Sequence, residues 1–294
     1  MKKLFLFVFA AALVIMGCGV CMAFCSSDEF VENAEQKVTV TRNVGYFSKV
    51  ESSSIADVKF VQGKTESVKI VGSKSLVDNL VVQLRGETLV LSDKHTSLQN
   101  GNAVHIVNYL GHKIKGDDED NPLVVYISSP DLTDVKQCGS GSFTAEGNLD
   151  TDALNVELVG SGDVDFGSVV CDRVSMVLRG SGDVSAKKLK SVAADFCLKG
   201  SGDFDVDEVS ANAANILLQG SGDLEAELKG VADSKVSLLG SGDLKVGFIG
   251  CGNVDCELRG SGDVYLSGTV KTLRKRSSGS GDIHTSKLKV SQRF

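Results

Sequence analysis

Four residues, Gly-Ser-Gly-Asp, recur every 20 residues through the second half of this chain. They stand at Gly160-Ser161-Gly162-Asp163 and again from Gly180, Gly200, Gly220, Gly240 and Gly260. A seventh copy starts one residue early, at Gly279, and a degenerate copy, Gly139-Ser140-Gly141-Ser142, precedes the first by 21. A short fixed period means one supersecondary unit stacked on itself, each copy burying its apolar face against its neighbours. Few architectures satisfy that constraint, and the spacing of the apolar residues selects among them.

Number each repeat from its first Gly as position 0. Position 4 holds Val164, Val184, Phe204, Leu224, Leu244, Val264 and Ile283, and position 6 holds Phe166, Ala186, Val206, Ala226, Val246 and Leu266. Between them position 5 is mostly polar: Asp165, Ser185, Asp205, Glu225, Lys245, Tyr265, His284. This period of two marks a half-buried strand. A second strand leads into the next turn, with Met176, Phe196, Ile216, Val236 and Cys256 at position 16 and Leu178, Leu198, Leu218, Leu238 and Leu258 at position 18. A looser apolar group (Val169, Leu189, Val209, Ile249, then Val174 and Val254) suggests a short third strand. The expected fold is all-β: a parallel β-helix or β-solenoid with 20-residue coils, right-handed by crossover chirality. Seven coils at about 4.8 Å per strand spacing make a rod of roughly 34 Å.

The Gly-Ser-Gly-Asp segment reads as turn chemistry, with the glycines supplying positive φ and Ser and Asp bonding nearby backbone N–H groups. The Asp column (Asp163, Asp183, Asp203, Asp223, Asp243, Asp263, Asp282) has two readings. Stacked carboxylates could bind calcium, as in glycine- and aspartate-rich β-rolls. Alternatively each Asp caps its own turn. Two carboxylates about 4.8 Å apart in water repel by only about 0.9 kcal/mol, less than the roughly 1.5–3 kcal/mol that a charge-assisted hydrogen bond returns. The capping reading therefore needs no metal, and no cofactor is expected.

Residues 37–135 carry strand patterns without the strict period: Lys37–Thr41, Val58–Val61, Val68–Val71, Leu80–Leu84, Leu89–Leu91 and Leu123–Ile127. Turns are expected at Gln62-Gly63, Arg85-Gly86 and Ser129-Pro130. The acidic run Asp117-Asp118-Glu119-Asp120 reads as a solvated loop. The domains expected are therefore a less regular β region over 37–135 and the regular solenoid over 136–294. The segment from Phe47 to Gly63, then Val68-Lys-Ile-Val, Leu76-Val-Asp, Leu89-Val-Leu, and Ser129-Pro130-Asp131-Leu132 running into Gly139-Ser-Gly resembles the family called putative autotransporter adhesin, head GIN domain, over about residues 40–290. The resemblance implies a β-helix-like protein of the Bacteroidetes cell envelope and carries over no catalytic residue. No C-terminal membrane-barrel pattern is present, so self-transport is not expected.

Lys2 and Lys3 lead an apolar run from Leu4 to Met16, the form of a secretory signal over residues 1–25. Ile15-Met16-Gly17-Cys18 matches a lipobox, which would make Cys18 the lipidated N-terminus, and Cys21-Met22-Ala23 fits an ordinary signal-peptidase site; both stay open. Residues 26–36 read as a tether. Without Lys2 and Lys3 the 31 basic residues fall to 29 against 38 acidic, net −9, which argues against a nucleic-acid partner. Any membrane contact would come through an N-terminal lipid. Five cysteines (Cys138, Cys171, Cys197, Cys251, Cys256) lie beyond the signal. They are odd in number and spaced too far for disulfides, so they read as small buried hydrophobes.

One segment breaks the pattern. Leu273-Arg274-Lys275-Arg276-Ser277 puts charge where the repeat wants apolar residues, and from Gly260 onward seven basic residues face only Asp263 and Asp282. Either this is the end of the solenoid, where charge blocks stacking, or Lys271, Arg274, Lys275 and Arg276 form a patch for an anionic ligand. His95, His105, His112 and His284 are scattered and read as surface or loop residues. The function expected is a non-enzymatic adhesin-like or ligand-binding surface in the outer membrane, at the cell surface or in the periplasm, with glycans or envelope components as partners. The alternatives are a periplasmic lipid-binding or scaffold protein, which an apolar pocket would favour, and a carbohydrate-active enzyme, which a carboxylate cleft off the Asp column would favour.

Overall fold

The computed structural model describes residues 37–94, 97–99, 102–104 and 122–292. The expected signal, the tether, Cys18, the acidic run, His95, His105 and His112 all lie outside the described residues. Each regular coil contributes two strands, as in Arg173–Leu178 before a Gly-Ser-Gly-Asp turn and Val184–Lys190 after it. All of them pair in parallel with their equivalents one coil away. Met176 lies opposite Phe196, then Ile216, Val236 and Cys256, and Val164 opposite Val184, Phe204, Leu224, Leu244 and Val264. These columns are fully buried, and the arrangement is a β-solenoid of about 8 turns.

The short third strand does not form separately. Val169 belongs to the strand Val164–Val170 and Val174 to Arg173–Leu178. The inward alternation slips at positions 7 and 8, where neither Gly167 nor Ser168 is buried, within one continuous strand. Three coils later the slip moves. Leu228 and Phe248 take the inward place, leaving Ile249 46% exposed.

The glycines of the repeat serve a different purpose from the one expected. Positive φ occurs at Gly86, Gly147, Gly230, Gly250 and Gly268, none of them in a Gly-Ser-Gly-Asp turn. What the turn glycines provide is closeness. A Cβ on Gly180 would lie 2.0 Å from the carbonyl oxygen of Gly160, one on Gly202 2.0 Å from that of Gly182, and one on Gly222 1.9 Å from that of Gly202. Backbone stacks on backbone with room for hydrogen alone.

The stack begins well before residue 136. Lys49–Ser53 pairs in parallel with Asp134–Gln137, and Asp57–Gln62 with Phe143–Asp150. Ser54-Ile55-Ala56-Asp57 occupies the turn position, since a Cβ on Gly139 or Gly141 would strike the carbonyl oxygens of Ser54 and Ala56 at 2.0 and 2.1 Å. The rings of Phe60, Phe143 and Phe166 follow one another at 6.5 and 6.0 Å across this junction, so the core runs through it unbroken. One further layer, Thr88–Asp93 with Leu123–Ser129, stacks in parallel on the outer side. Antiparallel strands then close the end: Leu80–Arg85, Ser67–Ser73 and Lys37–Arg42. A six-residue helix, Lys74–Asn79, buries Leu76 and Val77 there. Ser97–Gln99 and Asn102–Val104 pair with each other. The strands expected from Lys37 to Ile127 all form; the strand Lys49–Ser53 and the helix were not anticipated.

All five described cysteines are free, but only Cys171, Cys251 and Cys256 are buried; Cys138 and Cys197 are half-buried. Burial pushes the Cys171 thiol up to about 11 and that of Cys256 to about 12, so neither is a ready nucleophile. At the last coil the missing residue is absorbed at a corner, between Gly268 opposite Phe248 and Val270 opposite Cys251.

Gly202→Ala should therefore lower stability by about 2–3 kcal/mol, the cost of overpacking a site with no room, read as a shift in the urea denaturation midpoint. Ser201→Ala, on the exposed side of the same turn, should change it by less than about 0.5 kcal/mol. Equal midpoints for the two variants would contradict the stacking account.

Candidate functional site

The Asp column proves to be a staple between coils. The Asp183 backbone N–H donates to Asp163 Oδ1 at 2.9 Å, Asp203 to Asp183 at 2.7 Å and Asp223 to Asp203 at 2.8 Å. The series continues through Asp243, Asp263 and Asp282 at 2.8–2.9 Å. It starts with the Ser142 N–H on Asp57 Oδ1 at 2.8 Å and the Asp163 N–H on Ser142 Oγ at 3.3 Å. The expectation that each Asp caps its own turn is thus corrected. This position stands just before the strand begins, so the N–H finds a carboxylate below it in place of a carbonyl. Among the described residues no group of three or more His, Cys, Asp or Glu is disposed to hold a metal ion.

The basic segment lies on the last coil. Lys275 falls in the apolar column opposite Cys256, and Arg274 and Arg276 lie opposite Asp255 and Glu257. A charge does sit in a core column, as the sequence implied, but it is exposed there, as are Lys271, Arg274 and Arg276. Among the described residues no strand pairs with Thr272–Ser277 on the side away from Leu244–Leu258. Arg276 is held by Asp255 at 3.1 Å.

The outward face of the strands that follow the turns forms an open groove of about 830 Å³, where positions 5 and 7 of the last coils come together. At its end the rings of Tyr265 and His284 stack, centroids 4.7 Å apart and planes within 13°. Asp263 Oδ2 holds both, 3.3 Å from the Tyr265 hydroxyl and 3.2 Å from His284 Nε2. The N–H of Asp282, then His284, keep the Asp263 carboxyl below the usual carboxylate range, while burial and the Asp263 charge raise the Tyr265 phenol. Further along lie Asp205, Asp207, Glu225 and Glu227. Burial first, and then Asp207 and Glu225, push Asp205 up. Of these four only Glu225 has a cationic partner among the described residues, Lys245 at 3.9 Å.

The other strand face differs. There Lys49–Asp134 at 3.2 Å, Lys136–Glu157 at 3.7 Å and Arg179–Glu157 at 3.2 Å neutralise one another. In the sequence Tyr265 and His284 are neighbours in one outward column, although His284 reads there as a scattered surface residue; their adjacency at the same position is the available signal.

A β-solenoid of about 8 turns with a carboxylate-lined groove and an aromatic end defines the class of protein. The family model described as putative auto-transporter adhesin, head GIN domain, matches residues 46–241 and 226–293, and the chain belongs to that family. No curated protein matches it. Among solved structures, a putative adhesin from Bacteroides fragilis is 22% identical with a TM-score of 0.60, covering 85% of this chain and 97% of its own. A putative adhesin from Parabacteroides merdae is 17% identical with a TM-score of 0.68, covering 86% and 96%. A putative lipid binding protein from Parabacteroides distasonis is 20% identical with a TM-score of 0.69, covering 86% and 97%. At these identities the likeness is one of fold.

Two results should follow from the staples. Asp203→Ala removes the acceptor of the Asp223 N–H and should cost about 1 kcal/mol, while Asp203→Asn, which keeps an oxygen, should cost less; denaturation midpoints decide, and equal losses would contradict the staple. Asp263 has a depressed pKa in the folded state, so its contribution is complete at neutral pH and is lost as pH falls through that lowered value. An NMR titration should place its midpoint below the ordinary Asp range. In His284→Ala it should rise yet stay below that range, because the Asp282 N–H is the larger cause. A full return to the ordinary range would contradict that ordering.

Proposed function

We propose that this chain is a non-enzymatic, adhesin-like β-solenoid of the cell envelope that binds an extended hydroxyl-rich polymer, a glycan, along the groove ending at Tyr265 and His284. The observation that carries this reading is the exposed Tyr265–His284 stack at the end of a row of carboxylates that are largely without cationic partners. An aromatic face offers apolar area at low entropic cost, and ionised carboxylates accept hydrogen bonds from sugar hydroxyls. An open groove on a flat sheet suits a long chain better than a compact molecule, and a 20-residue period repeats the same polar positions along the rod. The envelope address rests on the family, and surface exposure fits an adhesin best.

A second reading has one specific observation behind it. The raised Asp205 beside Asp207 and Glu225 is the arrangement of a general acid with a second carboxylate, as glycan-cleaving enzymes use. These side chains are exposed on an open face, whereas acid–base catalysis gains from a dry, enclosed site, so binding is the better-supported function.

Titration calorimetry against a panel of neutral and basic oligosaccharides, run in parallel on Tyr265→Ala, tests both. Binding that the variant weakens by about tenfold or more supports the groove, the loss of one stacking surface being worth about 1–1.5 kcal/mol. Binding that is indifferent to Tyr265 sinks it. Release of new reducing ends would replace the binding reading by the catalytic one.

A further inference from the structure

We propose that the last coil of the solenoid is a docking surface for anionic lipid, approached end-on. The two ends of the rod are finished differently. At the first, antiparallel strands and a helix cover the final parallel layer. At the last, among the described residues, nothing covers Thr272–Ser277, and the core columns stay open. Leu273, Ile283 and Val290 are only half-buried, although their partners one coil earlier, Val254, Val264 and Val270, are 2%, 0% and 3% exposed. Leu288 adds to the same apolar end.

Around that apolar end stand Lys271, Arg274, Lys275, Lys287 and Lys289, all exposed. Among the described residues none of the five has a carboxylate within ion-pair distance, whereas Arg276 is satisfied by Asp255. Lys275 continues the buried column of Met176 and Cys256 into solvent as a cation. A long cationic side chain over an apolar end is the arrangement in which the stem lies on apolar atoms and the charge reaches a phosphate.

The charge pattern chooses the occupant. A second copy presenting the same end would bring like charges together, and the first end of another copy is already covered by its own antiparallel strands and helix. An acidic polysaccharide would satisfy the lysines and leave Leu273, Ile283, Leu288 and Val290 in water. A lipid surface supplies both an anionic headgroup and apolar chains. The chain before Gly260 carries a surplus of acidic residues, so an anionic surface repels the side of the rod and attracts only this end. The surface is separate from the groove, since none of its apolar residues and only Lys287 of its cations lies there.

The test is co-sedimentation of the full chain with vesicles of phosphatidylglycerol in phosphatidylcholine, against vesicles of phosphatidylcholine alone. Binding should require phosphatidylglycerol and should weaken as salt is raised. The triple variant Lys271→Ser, Arg274→Ser, Lys275→Ser should lose about a hundredfold in partitioning. The charge-keeping triple Lys271→Arg, Arg274→Lys, Lys275→Arg should retain it, with the circular dichroism melting curve confirming that both fold. Tyr265→Ala should bind vesicles like the parent, which separates this surface from the groove. Equal binding to both vesicles, no binding to either, unchanged binding by the serine triple, or binding of soluble polygalacturonate through these residues without vesicle binding would each overturn the proposal.

Discussion

The structure depends on how closely one turn can lie on the next. At the Gly-Ser-Gly turns the carbonyl oxygen of each coil occupies the place where a Cβ of the following coil would stand, about 2 Å from it. Only glycine permits that approach. Once the turns are in contact the register of the strand segments that adjoin them is set, because those segments begin at fixed distances from the turn, and the shifts fall further along. The Asp staples then tie the same point of successive coils together, in the one stretch where strand-to-strand bonding would otherwise lapse. Buried apolar columns follow from the register, and so do the outward ones.

Outward columns are what such a fold has to work with. A solenoid offers no deep cleft by construction; it offers rows, and the chemistry of a row is whatever its repeats place at one position. On the face preceding the turns the rows begin with mutually neutralising pairs such as Lys136 with Glu157 and run on through uncharged residues such as Val177, Cys197 and Leu217. On the face following them, positions 5 and 7 collect acidic residues in the middle coils and then Tyr265 and His284 at the end. Two adjacent coils suffice to stack those rings, since parallel neighbours lie about 4.8 Å apart, close to the 4.7 Å observed. The proposed binding function and the fold thus have one origin.

How much of this could be read from the sequence follows the strength of each signal. A period of 20 with Leu at position 18 in five successive copies can hardly mean anything but stacked coils, and those leucines are all buried. The reason for the glycines was missed because positive φ is the usual need for Gly, and close approach between residues 20 apart is invisible in any single turn. The Asp bonds were missed for the same reason, being made to the next coil. Ser54-Ile55-Ala56-Asp57 was hidden as a turn because Ser54 and Ala56 replace the glycines. On the outer side of this turn, among the described residues, no Gly-Ser-Gly turn presses on Ser54 and Ala56, so both can keep a Cβ. The groove was half legible: its residues stood in one outward column, but nothing in the sequence says which of several polar rows lacks its counter-charges.

The most direct test of the stacked-turn account is residue-resolved hydrogen exchange on the native chain. The account predicts that the amides of Asp183, Asp203, Asp223 and Asp243, each in a turn outside the strands, are protected comparably to those of the strands on either side, because each donates to the coil below. Exchange of these turn amides at the rate of an open loop, with the strands still protected, would mean that the turns do not stack, and the register, the columns and the groove built on them would lose their common cause.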